Sequence, residues 1–153
     1  PDDTIQHAGV VIGMLGIAGH VYNGCFREDT GIFGRLKVRQ NVSAVTTAVL
    51  MIKKSVYLEV EGLDEEMFKV AFNDIDLCMK VISAGYEIIW TPYSELYHYE
   101  SKSRGSENTP EKYKRFQNEI RNFDKKWGMW LKDPFYNENL DLLKTYPVVK
   151  QED

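Results

Sequence analysis

The segment FKVAFNDIDLCMKVISAGYEIIW (68–90) constrains the fold of this chain more than any other, because it encodes a helix that is followed directly by a strand. Four apolar residues share one helical face there: Ile75, Cys78, Met79 and Ile82. Gly85 is the residue type expected just beyond a helix end, and the apolar run YEIIW (86–90) is typical of a strand. The segment therefore predicts an α/β unit.

The remaining segments extend this pattern. Four further elements are predicted: a strand at 5–13, a strand buried on both faces at 42–52, a short helix at 53–62 and a helix at 110–127. Residues 20–41 form a long loop, of a length that is usually functional. The pattern has too few strands for a complete doubly wound domain, so half of the sheet is expected to be missing. Residues 131–153 are expected to form an irregular tail.

Composition excludes several classes of protein. The 153 residues suffice for one domain, and a net charge of −4 argues against a nucleic-acid partner. Two cysteines without CxxC spacing favour a reduced, cytosolic protein over a disulfide or zinc protein. The longest apolar stretch (8–19) is 12 residues long and contains four glycines, too short to span a bilayer. We expect a cytoplasmic location, at most peripheral at the inner face of the membrane.

Two acids lie at the start of this predicted helix, and their position has two interpretations. Asn73 is a favourable N-cap, and Asp74 and Asp76 lie in the first turn, where carboxylates answer free N–H groups and the positive end of the helix dipole. On position alone, capping is the stronger interpretation. A carboxylate held at a helix start is also rigidly aimed, as a general base must be.

The histidine and the basic residues that follow also have two interpretations. His98 lies between two tyrosines, where a partly buried hydrogen-bonded histidine is more common than a metal ligand. No two histidines have the i, i+4 spacing of a helical metal site. Lys102 and Arg104 follow in a polar loop and could bind a phosphate, although such residues are usually solvated.

Several motifs in fixed order nevertheless carry a resemblance to a known family. Three of them are QNVSAVTTAVLMIKKSVYLEVEGLDEE (40–66), FNDIDLC (72–78) and TPYSELYHYESKSRG (91–105). This block resembles the C-terminal half of a family 2 glycosyltransferase with a GT-A fold. Residues 5–20 and 109–128 resemble the flanking segments of bacterial members that build surface polysaccharide. The resemblance thus covers about residues 5–130 and makes 1–130 the acceptor and catalytic-base half of such a domain.

The resemblance implies roles for individual residues. The acidic pair at the start of the family's helix matches Asn73-Asp74, which makes Asp74 the catalytic base. The histidine after the next strand matches His98 and is commonly a ligand of Mg²⁺ or Mn²⁺. Lys102 and Arg104 match a loop that closes over the donor diphosphate. The implied reaction is inverting transfer of a sugar from a nucleotide-diphospho-sugar to a saccharide or lipid-linked saccharide acceptor.

The acceptor side is implied in the same way. Thr46, Asn73 and Asp76 are the expected acceptor-binding residues, with helix capping as the other role for Asp76. The run 45–50 matches the strand that borders the acceptor site, although Thr47 stands where the family usually has glycine.

One part of the family pattern has no counterpart. The nucleotide-binding half and its DXD-type motif are not found before residue 40, and the chain begins at Pro1. We therefore expect a fragment that is inactive alone and that self-associates through exposed apolar surface. Two other functions stay open: a non-catalytic module derived from a glycosyltransferase, and a metal-dependent hydrolase with Asp74, Asp76 and His98 as ligands.

Overall fold

Two small antiparallel sheets form the β structure in the computed structural model, which describes residues 3–99, 109–128 and 132–151. Strands β1 (Val10–Ile12) and β2 (Ala18–His20) form a hairpin in the register Val10↔His20 to Ile12↔Ala18. Strands β3 (Gln40–Asn41) and β4 (Ile89–Trp90) form the second pair. The architecture is mixed α/β with short strands, and all strand pairs of the described residues are antiparallel.

The segment after β3 links the two sheets. Val42 N–H donates to Ile88 O (3.1 Å) beside the β3–β4 pair, and Val10 N–H of β1 donates to Ala44 O (2.8 Å). The chain then leaves the sheet, because Thr46 accepts a hydrogen bond from Ala48 N–H and begins a 3₁₀ helix at Thr47–Val49. The predicted buried strand at 42–52 is therefore wrong: within it the structure has only an isolated bridge at Ala44, and Met51 is 99% exposed.

Three α-helices agree with the predicted pattern: α1 (Lys54–Glu59), α2 (Asn73–Ser83) and α3 (Pro110–Trp127). Gly85 follows α2 with a φ of 87°, and its N–H donates to Ile82 O, as a C′ glycine does. Helix α3 begins after Thr109, whose side chain accepts a hydrogen bond from Lys112 N–H.

The start of α2 differs from the prediction. Asn73 is the first helical residue, and the N-cap is Phe72, which has a left-handed backbone (φ 64°) and no capping side chain. The predicted N-cap role of Asn73 is therefore wrong. The Asp74 carboxylate instead accepts a hydrogen bond from Ile75 N–H at 2.9 Å, which satisfies one N–H that the helix start leaves free.

Helix α2 lies at the centre of the molecule, because both of its sides are buried. One side contributes to a cluster that includes β1, Phe68 and α3: Val10, Ile12, Ala44, Phe68, Ile75, Cys78, Met79 and Phe123. The other side packs on α1 through Val56, Val60, Leu77 and Val81. The single predicted face thus describes only half of the buried surface of α2.

The C-terminal segment 132–151 packs on the β1–β2 hairpin. Asp133 is buried and accepts hydrogen bonds from Ile12 N–H and Phe135 N–H, both at 2.8 Å. Leu15 N–H and Tyr22 N–H donate to carbonyls of this segment. No helix in the described ranges is both long enough and apolar enough to cross a bilayer.

Candidate functional site

The two acids of the predicted site have different environments. Asp74 is partly exposed at the first turn of α2, and Ile75 N–H donates to its Oδ1. Asp76, two residues later, is 0% exposed and points into the protein. Residues two apart on a helix project about 200° apart, which explains the difference.

The buried Asp76 carboxylate is held by α3. Trp127 Nε1–H donates to Asp76 Oδ1 at 2.8 Å, and Lys126 Nζ lies 2.8 Å from the same oxygen. Lys80 Nζ lies 3.5 Å from Oδ2. Burial lowers the pKa of Lys126, but its hydrogen bonds to Asp76 and Asp64 outweigh this and raise the pKa above its ordinary value. These contacts join α2 to α3.

Cys78 connects the helix of Asp74 to the segment of Thr46. Its Sγ donates to Val45 O (3.7 Å), and Val45 N–H donates back to Sγ (3.5 Å). Burial and the nearby negative charge of Asp74 raise the pKa of the Cys78 thiol to about 11, although the hydrogen bond with Val45 lowers it in part. The thiol therefore stays protonated, and it holds the chain just before Thr46 against α2.

A cavity of about 1140 Å³ opens beside this contact. Its lining includes Thr46, Cys78 and His98, and also the N-terminal residues Gln6 and His7. Asp74 is not among the lining residues, although Cys78, one turn further along α2, is. The structure thus brings Thr46 and His98 to one cavity and places Asp74 at the start of the helix that borders it.

The imidazole of His98 is oriented by a residue near the other end of the chain. His98 is exposed, and its Nδ1 lies 2.8 Å from Gln6 Oε1. Because a side-chain carbonyl oxygen only accepts, Nδ1 is the donor in this contact, and Nε2 is the ring nitrogen that Gln6 leaves unused. This is the arrangement by which metal-binding histidines are usually held.

The described residues do not form the rest of the predicted site, which comprises a metal site and the diphosphate contacts. No cluster of three or more His, Cys, Asp or Glu side chains in the described ranges is placed to hold a metal ion. Lys102 and Arg104 lie outside the described residues. Asn73 is partly exposed at the first position of α2.

The N-terminal residues that line the cavity were not predicted from the sequence. Gln6 and His7 lie within a predicted strand, and a local pattern does not report that Gln6 meets a residue 92 positions away. His7 Nδ1 lies 3.0 Å from His20 Nδ1. Burial and the charge of His20 lower the pKa of His7 to about 3, so the imidazole is neutral at physiological pH.

Comparisons with known proteins relate this chain to two much longer ones. It is 54% identical over 146 residues to uncharacterized protein y4gI of Sinorhizobium fredii (strain NBRC 101917 / NGR234). It is 32% identical over 154 residues to the O-antigen biosynthesis protein RfbC of Myxococcus xanthus. The matches cover 93% and 95% of this chain but only 16% and 11% of those proteins. No family model and no solved structure matches the chain.

Proposed function

We propose that this chain is the part of a family 2 glycosyltransferase, with a GT-A fold, that binds the acceptor and carries the catalytic base. Similarity to RfbC along 95% of the chain points to a role in polysaccharide synthesis, since that protein is named for O-antigen biosynthesis. The order of motifs over residues 40–105 supports the narrower class.

The observation that carries the proposal is the separation of the two acids. Asp76 is fully buried and occupied by Lys126 and Trp127, so it is unsuited to proton transfer with a substrate. Asp74 is partly exposed and lies in the first turn of α2. Only Asp74 of the pair is therefore accessible to an acceptor hydroxyl. This arrangement also moves Asp76 from the acceptor-binding role to a structural one.

The proposed reaction is a single displacement in which Asp74 is the base on the acceptor side. Asp74 accepts the proton of the acceptor hydroxyl while that oxygen forms a bond to the anomeric carbon of the donor sugar. The bond between this carbon and the diphosphate oxygen breaks, and the nucleoside diphosphate leaves with the electron pair. A single displacement of this kind inverts the anomeric configuration. Thr46 and Asn73 are the proposed acceptor contacts.

His98 is the proposed link to a divalent metal. With its proton on Nδ1, held by Gln6, the imidazole presents Nε2 as a ligand atom. Mg²⁺ or Mn²⁺, when bound, neutralises charge on the leaving diphosphate. The described residues do not complete a metal site with His98. In this proposal the other metal ligands come from the nucleotide-binding half, which lies elsewhere in a longer protein. Lys102 and Arg104 remain the proposed diphosphate contacts.

The two rival functions fit the structure less well. A hydrolase that bound metal through Asp74, Asp76 and His98 would need these side chains together, whereas Asp76 is buried against α3. A non-catalytic module would not need an exposed acid at the start of α2. The Asp74 bond to Ile75 N–H is a capping contact, however, so capping must be separated from catalysis by experiment.

The test is Asp74→Asn in the full-length protein. Release of nucleoside diphosphate is measured with a panel of UDP-, GDP- and dTDP-sugars, Mn²⁺ and saccharide acceptors. Asparagine keeps Oδ1 to accept from Ile75 N–H but cannot take a proton. We expect kcat to fall about 10²-fold or more, with the melting temperature and the donor KM little changed.

Asp76→Asn is the matched control at a neighbouring acid. It should lower the melting temperature and leave most of the turnover, because Asp76 contacts Lys126 and Trp127 rather than the solvent side. His98→Ala should instead raise the Mn²⁺ concentration needed for half-maximal rate. If Asp74→Asn loses stability and keeps its rate, Asp74 is a cap and the proposed base is wrong.

A further inference from the structure

Helix α3 holds the chain that leads into Asp74, and one buried acid makes the main contact. Glu119 is only 3% exposed. Its Oε1 accepts from the N–H groups of Lys69 (3.0 Å) and Val70 (3.1 Å), and its Oε2 accepts from Ala71 N–H (3.0 Å). Three consecutive amides thus point at one carboxylate. Such charge-assisted bonds are stronger than bonds between neutral groups.

The contact matters because the next residue has a strained backbone. Phe72 has a φ of 64°, a left-handed conformation that is strained for a non-glycine residue and tends to occur at functional sites. Its ring stacks on Phe116 (5.8 Å between centroids) and lies 5.2 Å from the ring of Phe123. Both rings belong to α3, so the helix that binds residues 69–71 also holds the strained turn.

Two further bonds run between the same elements. Asn122 Nδ2–H donates to Met67 O (2.9 Å), and Lys126 Nζ lies 3.2 Å from Asp64 Oδ2. On the other side of Asp74, Trp127 and Lys126 bind Asp76. Helix α3 therefore binds the backbone before Asp74 and also the side chain of Asp76, two residues after it.

We propose that Glu119 is a positioning residue for Asp74: by holding the amides of 69–71 it sets the Phe72 turn and hence the direction of the Asp74 carboxylate. The proposal rests on the proposed function, in which Asp74 is the base. A base must lie within hydrogen-bond reach of the hydroxyl proton, and a shift of about 1 Å can cost about 10²-fold in rate. Glu119 contacts residues 69–71 and does not need to touch a substrate to have this effect.

The test uses Glu119→Gln in the full-length protein. Glutamine has the same shape, but its NH₂ group replaces one acceptor oxygen and the negative charge is lost. Hydrogen exchange should show faster exchange of the amides of Lys69, Val70 and Ala71. With the most active sugar nucleotide of the panel, we expect kcat to fall about 10- to 100-fold while the donor KM is unchanged.

Asp133→Asn is the matched control. Asp133 is also a buried carboxylate that accepts two backbone N–H bonds, but it joins Ile12 and Phe135. It should lose stability without the selective loss of kcat. If Glu119→Gln does not fold, Asn122→Ala weakens the same segment through Met67 O and should give a smaller fall in kcat.

A double-variant cycle separates this inference from the proposed function. In the Asp74→Asn background, Glu119→Gln should cause no further loss of rate, because its effect passes through the base. If Asp74→Asn is inactive but Glu119→Gln keeps its kcat, or if the two effects add, the inference is overturned and the proposed function stands. If Asp74→Asn keeps its rate, the proposed base is overturned. Unchanged exchange at 69–71 overturns the inference whatever the activity.

Discussion

Lys126→Met is the sharpest test of the link between α2 and α3. The change keeps an unbranched side chain and removes the charge that lies 2.8 Å from Asp76 Oδ1. Asp76 is 0% exposed, so water cannot replace the lost ammonium. Removing one partner of a buried ion pair costs about 3–5 kcal/mol. We expect about 3 kcal/mol, the lower end of that range, because Trp127 Nε1–H and Lys80 stay beside the carboxylate.

The assay is urea unfolding of the 153-residue chain followed by far-ultraviolet circular dichroism. Lys125→Met is the control, because Lys125 is an exposed neighbour on the same helix and its change should stay within about 0.5 kcal/mol. The double variant Asp76→Leu with Lys126→Met should recover most of the loss, since apolar pairs often replace buried ion pairs without cost. A loss for Lys126→Met as small as that for Lys125→Met would refute the buried pair.

Three further predictions follow from single residues. The hydrogen bond from Met67 N–H, and then Lys126, lower the pKa of Asp64 below 3.8. The Asp64 carboxylate therefore stabilises the fold above that pH, and this stabilisation is lost on further acidification. Asp64→Asn should reduce the loss of stability that urea titrations show at acidic pH. Gly85→Ala should lower stability by about 1 kcal/mol in thermal melts, because an alanine is strained at a φ of 87°. Nothing lies within 4 Å of the added methyl group, so backbone strain is the whole cost. An unchanged melting temperature would contradict the left-handed C′ role. The 153-residue chain should self-associate in light scattering, and Met51→Ser should reduce this because Met51 is 99% exposed; a clean monomer at high concentration would count against it.

The helices could be predicted from the amino-acid sequence, because their signals are local. Apolar residues at helical spacing predicted α2 and α3, and both occur at the expected places. Gly85 marked a helix end, and the predicted start of the last helix at Pro110 is the observed one, for reasons that concern only neighbouring residues. The presence of both acids in the first turn of α2 followed in the same way.

The pairing of the strands and the burial of one acid depend on contacts between distant parts of the chain. The β-branched run at 42–52 predicted a strand, but a strand also needs a partner, and the described chain supplies β1 as one only at Ala44. Asp76 meets Trp127 at a separation of 51 residues, and Glu119 meets Lys69 at 50. Helical periodicity and capping motifs reflect interactions between residues that are close together in the sequence. Contacts between distant residues depend on where the chain returns, and that is set by the packing of the whole core.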